Sequence, residues 1–128
     1  MAATKATGRP VYIVDGARTP FIKARDRPGP FTPVDLAVEA GRPLLARQPI
    51  EGPEFDEVIL GCVNAHPDEV NPGRIAGLRL GLGTAVPGWT VQRNCGSGQQ
   101  ALDSAFRAIG DLDWSSSPVI SAILQLLP

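Results

Sequence analysis

Cys95 has the clearest potential for chemistry in this sequence, and it lies in the stretch TVQRNCGSGQQALDSAFRAIG, residues 90–110. The stretch begins like a buried strand and ends like an amphipathic helix, so the cysteine lies at the junction. Unpaired N–H groups and the dipole of a helix N-terminus stabilise a thiolate, which is the nucleophilic form of cysteine. Two interpretations stay open at this point: a nucleophile, or a small apolar residue buried at a turn.

The residues that follow the cysteine, Gly96, Ser97 and Gly98, suit the turn and the helix N-terminus that such a nucleophile needs. Glycine lets the backbone turn sharply and lets a substrate approach without meeting a Cβ atom. Ser97 is not expected to be the nucleophile, because Cys95 stands where the G-x-S-x-G serine motif needs a glycine. These three residues are therefore predicted to support Cys95.

Two other residues bear on the chemistry of this site. Cys62 lies within the apolar run VILGCV, where burial keeps a thiol unreactive, so we expect a core role for it. His66 is the one histidine; it could serve Cys95 as a base, or it could be a solvated loop residue. No spacing of His, Cys, Asp and Glu matches a metal site, and we predict none.

Composition and charge exclude several classes of function. The chain has 128 residues, 43% of them hydrophobic, and a net charge of -1, which is typical of a globular domain. So balanced a charge argues against nucleic acid or an anionic membrane as the main partner. The stretch PVISAILQLLP is too short to cross a bilayer, and the two cysteines form no C-x-x-C pair. The sequence therefore predicts a cytoplasmic protein.

Three apolar runs have the length and β-branched content of buried strands. They are residues 11–16, residues 58–63 and residues 88–94. A predicted helix follows each run, which gives the order βαβαβα. Strands that alternate with helices favour a parallel sheet, whose ligands bind at the carboxyl ends of the strands. Cys95 is predicted to lie at such an end.

Local signals place the three helices. Thr32 is predicted as the N-cap of the first, followed by Pro33 and Asp35, and we expect Gly41 and Pro43 to interrupt this helix. Asn71 and Pro72 are predicted to begin the second, with a stop at Gly83, and Gly110 is predicted to end the third. The predicted apolar faces are, for the second helix, Ile75, Leu78 and Leu82 and, for the third, Ala101, Leu102, Ala105, Phe106 and Ile109.

The segment VQRNCGSGQQAL resembles the active-site segment of the thiolases, the family of acetyl-CoA acetyltransferases and 3-ketoacyl-CoA thiolases. The family signature V-N-x-x-C-x-S-G-x-x-A is matched by Val91, Cys95, Ser97, Gly98 and Ala101. The segments VYIVDGARTPF, FDEVILGCV and NPGRIAGLRLGL are similar to three further family motifs, in the same order. Four ordered motifs over about residues 10–110 make the resemblance specific.

The resemblance implies a thiolase-like N-terminal half and an acyltransferase of fatty acid metabolism. Cys95 would be the nucleophile that takes an acyl group from an acyl-CoA or a 3-ketoacyl-CoA as a thioester, before transfer to coenzyme A or acetyl-CoA. Coenzyme A would be a substrate, with no covalently bound cofactor. Family members form homo-oligomers, which makes a second copy a candidate partner.

The sequence also departs from the family pattern. Gln92 stands where the family usually has asparagine, and the family's G-H-P, N-E-x-F and C-x-G motifs do not occur in the 128 residues. We therefore divide the chain into a partial thiolase N-terminal domain, residues 1–110, and an atypical tail, residues 111–128, and expect a shortened product with impaired activity. The alternatives are a non-catalytic fragment that associates with itself or with a complete thiolase, and a Cys95–His66 hydrolase.

Overall fold

The computed structural model describes residues 10–21, 23, 29–111 and 121–125. The helices in this part of the chain are α1 (Pro33–Ala46), α2 (Pro72–Arg79) and α3 (Ser97–Asp111). The strands are β1 (Glu57–Gly61), β2 (Gly88–Val91) and β3 (Ser121–Gln125), and a short 3-10 turn at Gly52–Glu54 precedes β1. None of the helices that the structure describes is both long enough and apolar enough to span a membrane.

The three strands form a parallel sheet in the order β2-β1-β3. Successive side chains of a strand point to opposite faces of the sheet. Leu60 of β1 packs with residues of α1 and α2, whereas its neighbour Ile59 packs with Ala101 and Ala105 of α3. The sheet thus lies between two helix layers, which confirms the predicted α/β class and parallel sheet.

The predicted first strand is wrong. Residues 11–16 belong to no strand, and the side chains of Tyr12, Ile13 and Val14 are more than three-quarters exposed. The reason lies in the pairing of β1, whose two edges are already occupied by β2 and β3. Residues 121–125, which the sequence did not indicate as a strand, take a position beside the central strand instead.

Helix α1 begins as predicted but does not break. Thr32 is the N-cap, since its hydroxyl accepts from Asp35 N at 3.2 Å and its own N–H donates to Asp35 Oδ2 at 2.9 Å. The helix continues through Gly41 and Pro43 to Ala46, so the expected interruption is wrong. Pro43 is exposed and close to the C-terminal end of α1, where its missing N–H removes a single helical hydrogen bond.

Helix α2 begins at the predicted cap, and its predicted apolar face is confirmed in part, since Leu82 is 1% exposed and Ile75 packs against the core. Asn71 Oδ1 accepts from Arg74 N at 3.3 Å, which confirms the cap. The helix ends at Arg79, before the predicted stop, and Leu78 is 43% exposed. Its buried residues are small because α2 approaches β2 closely, and a Cβ at Gly73 would lie 2.1 Å from the carbonyl oxygen of Trp89.

Helix α3 packs on the sheet through two alanines. Ala101 and Ala105 are at most 2% exposed and contact Ile59, as the predicted face required. Phe106, which was assigned to the same face, is 56% exposed, because it lies about 100° around the helix from Ala105. The helix also includes Gly110 and extends to Asp111, so the predicted end is one residue short.

Candidate active site

Cys95 lies on the turn between β2 and α3 and is exposed. The turn follows the carboxyl end of β2, which lies beside the carboxyl end of β1. Just beyond the paired residues, Cys62 N donates to Val91 O at 3.1 Å and the side chain of Gln92 donates to Val63 O at 2.9 Å. Both bonds hold the two strand ends together just before the turn that carries Cys95.

Asn94 gives the turn its sharp change of direction. Its φ of 47° is the one positive value of a non-glycine residue in the described part of the chain, and it immediately precedes Cys95. Asparagine tolerates this left-handed conformation better than most residues. The glycines with positive φ that the structure describes are Gly81 and Gly83, so at this turn the left-handed conformation belongs to Asn94 and not to Gly96 or Gly98.

Ser97 closes the turn with its side chain. Ser97 is buried, with 2% of its surface exposed. Its hydroxyl accepts a hydrogen bond from Arg93 N at 2.8 Å and donates one to Asn94 O at 2.7 Å. Backbone bonds reinforce this closure, since Gly96 N donates to Arg93 O at 3.0 Å and Ser97 N to Asn94 O at 3.1 Å. Cys95 therefore projects from a turn whose flanking backbone groups are paired with one another.

The first turn of α3 follows the cysteine directly. Gln100 N donates to Gly96 O at 2.9 Å, which is the first helical hydrogen bond, and Gly98 is buried. The first N–H groups of a helix have no helical acceptor and carry the positive end of its dipole. Cys95 thus lies at the end of α3 where negative charge is favoured, as the sequence predicted.

A polar network connects the turn to the side of α3. Arg93 Nη1 donates to Gln100 Oε1 at 2.7 Å, and Gln100 Nε2 donates to Asp103 Oδ2 at 3.2 Å. A hydrogen bond from Arg107, which donates to the same carboxylate at 2.9 Å, lowers the pKa of Asp103. Sequence reasoning missed this network; the spacing of Gln100, Asp103 and Arg107 at three and four residues was the available signal.

Cys62 is buried, whereas Cys95 is exposed. Cys62 is 4% exposed, and it packs with core residues of α1, α2 and β1. Burial raises the pKa of the Cys62 thiol, and a backbone hydrogen bond involving Asn64 opposes this only in part. The prediction of a core role for Cys62 is confirmed.

His66 and Cys95 are not joined by a hydrogen bond in the described part of the chain. His66 lies on the loop after β1, where its Nδ1 accepts from Asp68 N at 3.3 Å and is 3.7 Å from Asp68 Oδ2. Its side chain is 46% exposed. No observation in the described structure favours His66 as the base of Cys95.

Acidic side chains near the loop after β1 serve ion pairs rather than a metal. Arg79 lies 3.4 Å from Glu69 Oε1 and 3.2 Å from Asp35 Oδ1, and so connects the loop to α1. Within the described residues, no group of three or more His, Cys, Asp or Glu side chains is arranged to hold a metal ion. The prediction of no metal site stays a prediction for the whole chain.

An exposed cysteine at the carboxyl edge of a parallel sheet, two residues before the start of a helix, is an arrangement in which a thiol can act as a nucleophile. The family described as "Thiolase, N-terminal domain" matches residues 11–114. The chain belongs to the thiolase family.

Named relatives agree with this assignment. The chain is 42% identical over 103 residues to a beta-ketoadipyl-CoA thiolase of Pseudomonas knackmussii, covering 79% of this chain and 26% of the relative. It is 40% identical over 99 residues to a steroid 3-ketoacyl-CoA thiolase of Mycobacterium tuberculosis, and the match covers 77% of this chain and 24% of that relative. It is 43% identical over 109 residues to a 3-oxoadipyl-CoA/3-oxo-5,6-dehydrosuberyl-CoA thiolase of Escherichia coli, and the match covers 82% of this chain and 27% of that relative.

A solved structure shares the fold. The crystal structure of the Bacillus anthracis acetyl-CoA acetyltransferase is 45% identical in sequence and superposes with a TM-score of 0.56, covering 59% of this chain and 19% of that chain. The chain spans about a quarter of the length of the curated relatives that it matches. The roles of Cys95, Gly96, Ser97 and Gly98, and the division at residue 110, stay predictions.

Proposed function

We propose that Cys95 takes an acyl group from an acyl-CoA or a 3-ketoacyl-CoA, as the first half of CoA-dependent acyl transfer. The observation that carries the proposal is the exposed thiol on the turn before α3, at the carboxyl edge of the sheet of a thiolase-family chain. Support comes from the paired backbone of the turn, which leaves the cysteine projecting, and from the favourable end of the helix dipole.

In this half-reaction the Cys95 thiolate attacks the carbonyl carbon of the acyl-CoA thioester. A new C–S bond forms to Cys95, the C–S bond to coenzyme A breaks, and coenzyme A leaves as a thiolate that takes a proton from solvent. With a 3-ketoacyl-CoA the thiolate attacks the 3-keto carbon instead, the bond between C2 and C3 breaks, and acetyl-CoA leaves as a carbanion that takes a proton from solvent. The acyl group then passes to coenzyme A or to the carbanion of acetyl-CoA. Coenzyme A is a substrate in this scheme, no covalently bound cofactor takes part, and the location is the cytoplasm.

Acyl transfer to the protein tests the proposal without requiring full turnover. Incubation of the purified chain with acetyl-CoA, followed by mass spectrometry of its peptides, should show one acetyl group on Cys95 that hydroxylamine removes. The matched variants are Cys95→Ala, which should lose the label, and Cys62→Ala, which should keep it. An acetyl group on neither cysteine, or on Cys62 as readily as on Cys95, would contradict the proposal.

Exposed apolar side chains favour a second candidate function, association with another chain. Tyr12, Ile13, Val14 and Phe21 are all at least 77% exposed, and such residues in a short stretch mark an interaction surface. The partner would be a second copy of this chain or a complete thiolase. Sedimentation velocity over a wide range of concentrations tests this, and a monomer at every concentration would count against self-association.

A further inference from the structure

The end of β1 meets the start of α3 at Gly61. A Cβ atom built on Gly61 would lie 2.5 Å from the carbonyl oxygen of Ser97 and 2.7 Å from Gly98 N. Both are backbone atoms, so neither can rotate away as the end of a flexible side chain can. The absence of a side chain at Gly61 is what lets the first turn of α3 rest on the carboxyl end of the sheet.

Strand β1 is the fixed side of this contact. It lies between β2 and β3, and Val58, Ile59 and Leu60 are fully buried. The other side of the contact is the start of a helix that follows an exposed turn. A side chain added at Gly61 would therefore displace the N-terminal turn of α3 rather than the strand.

Ser97 connects this contact to Cys95. Its backbone packs against Gly61, while its hydroxyl accepts from Arg93 N and donates to Asn94 O, the residues immediately before the cysteine. The turn is thus closed by the residue that rests on the strand. A displacement of Ser97 moves the two backbone groups that come just before Cys95 in the turn.

We infer that Gly61 is a positioning residue for Cys95 and that it acts through Ser97. Gly61 sets how closely α3 approaches the sheet, and Ser97 transfers that position to the turn that presents the thiol. This inference rests on the proposed role of Cys95 as the acyl acceptor. It assigns a function to a strand residue that supplies no reacting group.

The test compares the rate of Cys95 alkylation by iodoacetamide, over a range of pH, in the wild-type chain and in Gly61→Ala. We expect the substitution to slow alkylation about tenfold and to change its pH profile, because the thiol moves relative to the helix N-terminus. Gly77→Ala is the matched control, since its Cβ meets Val58 Cγ2 at 3.3 Å, away from the turn. It should keep the wild-type rate and profile.

Ser97→Ala decides the outcome if Gly61→Ala fails to fold, because it removes both hydroxyl bonds and adds no atom. The control on the same helix is Ser104→Ala, which removes a hydroxyl that accepts a hydrogen bond from Gln100 Nε2 at 3.4 Å. If Gly61→Ala folds and its Cys95 reacts at the wild-type rate, the inference is overturned and the proposed function is not affected. If Gly61→Ala does not fold, a wild-type rate in Ser97→Ala overturns the inference in the same way. If wild-type Cys95 reacts no faster than a free cysteine, the proposed function fails, and the inference fails with it.

Discussion

The side-chain amide of Gln92 donates to the backbone oxygen of Val63 at 2.9 Å, and this bond joins the chain just after β2 to the chain just after β1. Gln92 is the residue at which the sequence departs from the thiolase signature. The structure gives the longer side chain a role, because its amide spans the gap between the ends of the two strands.

Loss of this bond should weaken the fold modestly. Gln92→Ala and the shorter Gln92→Asn should each lower the free energy of unfolding by about 0.5–1 kcal/mol, since the amide is solvent-exposed and the bond is a single neutral one. Urea unfolding followed by circular dichroism measures the change, and Gln99→Ala, on an exposed position of α3, is the control. Variants as stable as the wild-type chain would show that the bond contributes nothing.

The two cysteines should react at different rates. Limiting iodoacetamide near neutral pH should label exposed Cys95 well before Cys62, whose burial shields the thiol and raises its pKa. Peptide mass spectrometry gives both rates, and the preference should disappear in denaturant, where both thiols are solvated. Equal labelling under native conditions would mean that the chain does not fold as described or that Cys95 has no special reactivity.

The ion pair of Asp15 with Arg47 should make stability depend on acid. Arg47 Nε donates to Asp15 Oδ2 at 2.6 Å, and this bond, aided by the Gly16 N–H, lowers the pKa of Asp15 from 3.8 to about 2. Because the folded pKa is the lower one, the stabilisation is present above pH 3.8 and is lost as pH falls toward about 2.

Asp15→Asn tests this dependence, since it removes the titrating carboxylate and keeps the shape of the side chain. The variant should be less stable than the wild-type chain at neutral pH, and the two should converge as pH falls to about 2. Thermal unfolding measured from neutral pH to pH 2 gives the comparison, with Asp68→Asn, on the exposed loop after β1, as control. A constant difference at every pH would rule out the carboxylate as its cause.

The capping box of α1 should contribute measurably. Thr32→Ala removes the hydroxyl that accepts from Asp35 N and should lower the free energy of unfolding by about 1 kcal/mol. Thr84→Ala, an exposed threonine outside the helices, serves as the control and should change stability by less than about 0.5 kcal/mol. Urea unfolding measures both changes. Equal effects of the two substitutions would show that the Thr32 cap does not stabilise α1.

Features fixed by neighbouring residues were predictable from the sequence. Thr32 and Asn71 cap their helices because capping is decided within one turn, and the apolar run around Val58–Leu60 forms the buried central strand. Cys95 lies before a helix at the strand ends for the same local reasons.

Features decided by distant contacts were not predictable. Residues 11–14 suit a strand by composition, but β1 pairs with residues 121–125, and pairing depends on tertiary competition rather than on propensity. Leu78 and Phe106 fit an apolar period, yet close packing through Gly73, Ala76, Ala101 and Ala105 leaves them exposed. The contact between Gly61 and Ser97 likewise has no signal in the local sequence.

The strand order has a consequence for synthesis on the ribosome. The central strand β1 pairs with β2, which follows soon after it, and with β3, which is translated only after α3 is complete. Pairing across so long a stretch has a large loop-closure entropy and is slow. This central strand, whose Val58, Ile59 and Leu60 are fully buried in the folded chain, therefore leaves the ribosome with one edge open, and it is exposed to aggregation until β3 arrives.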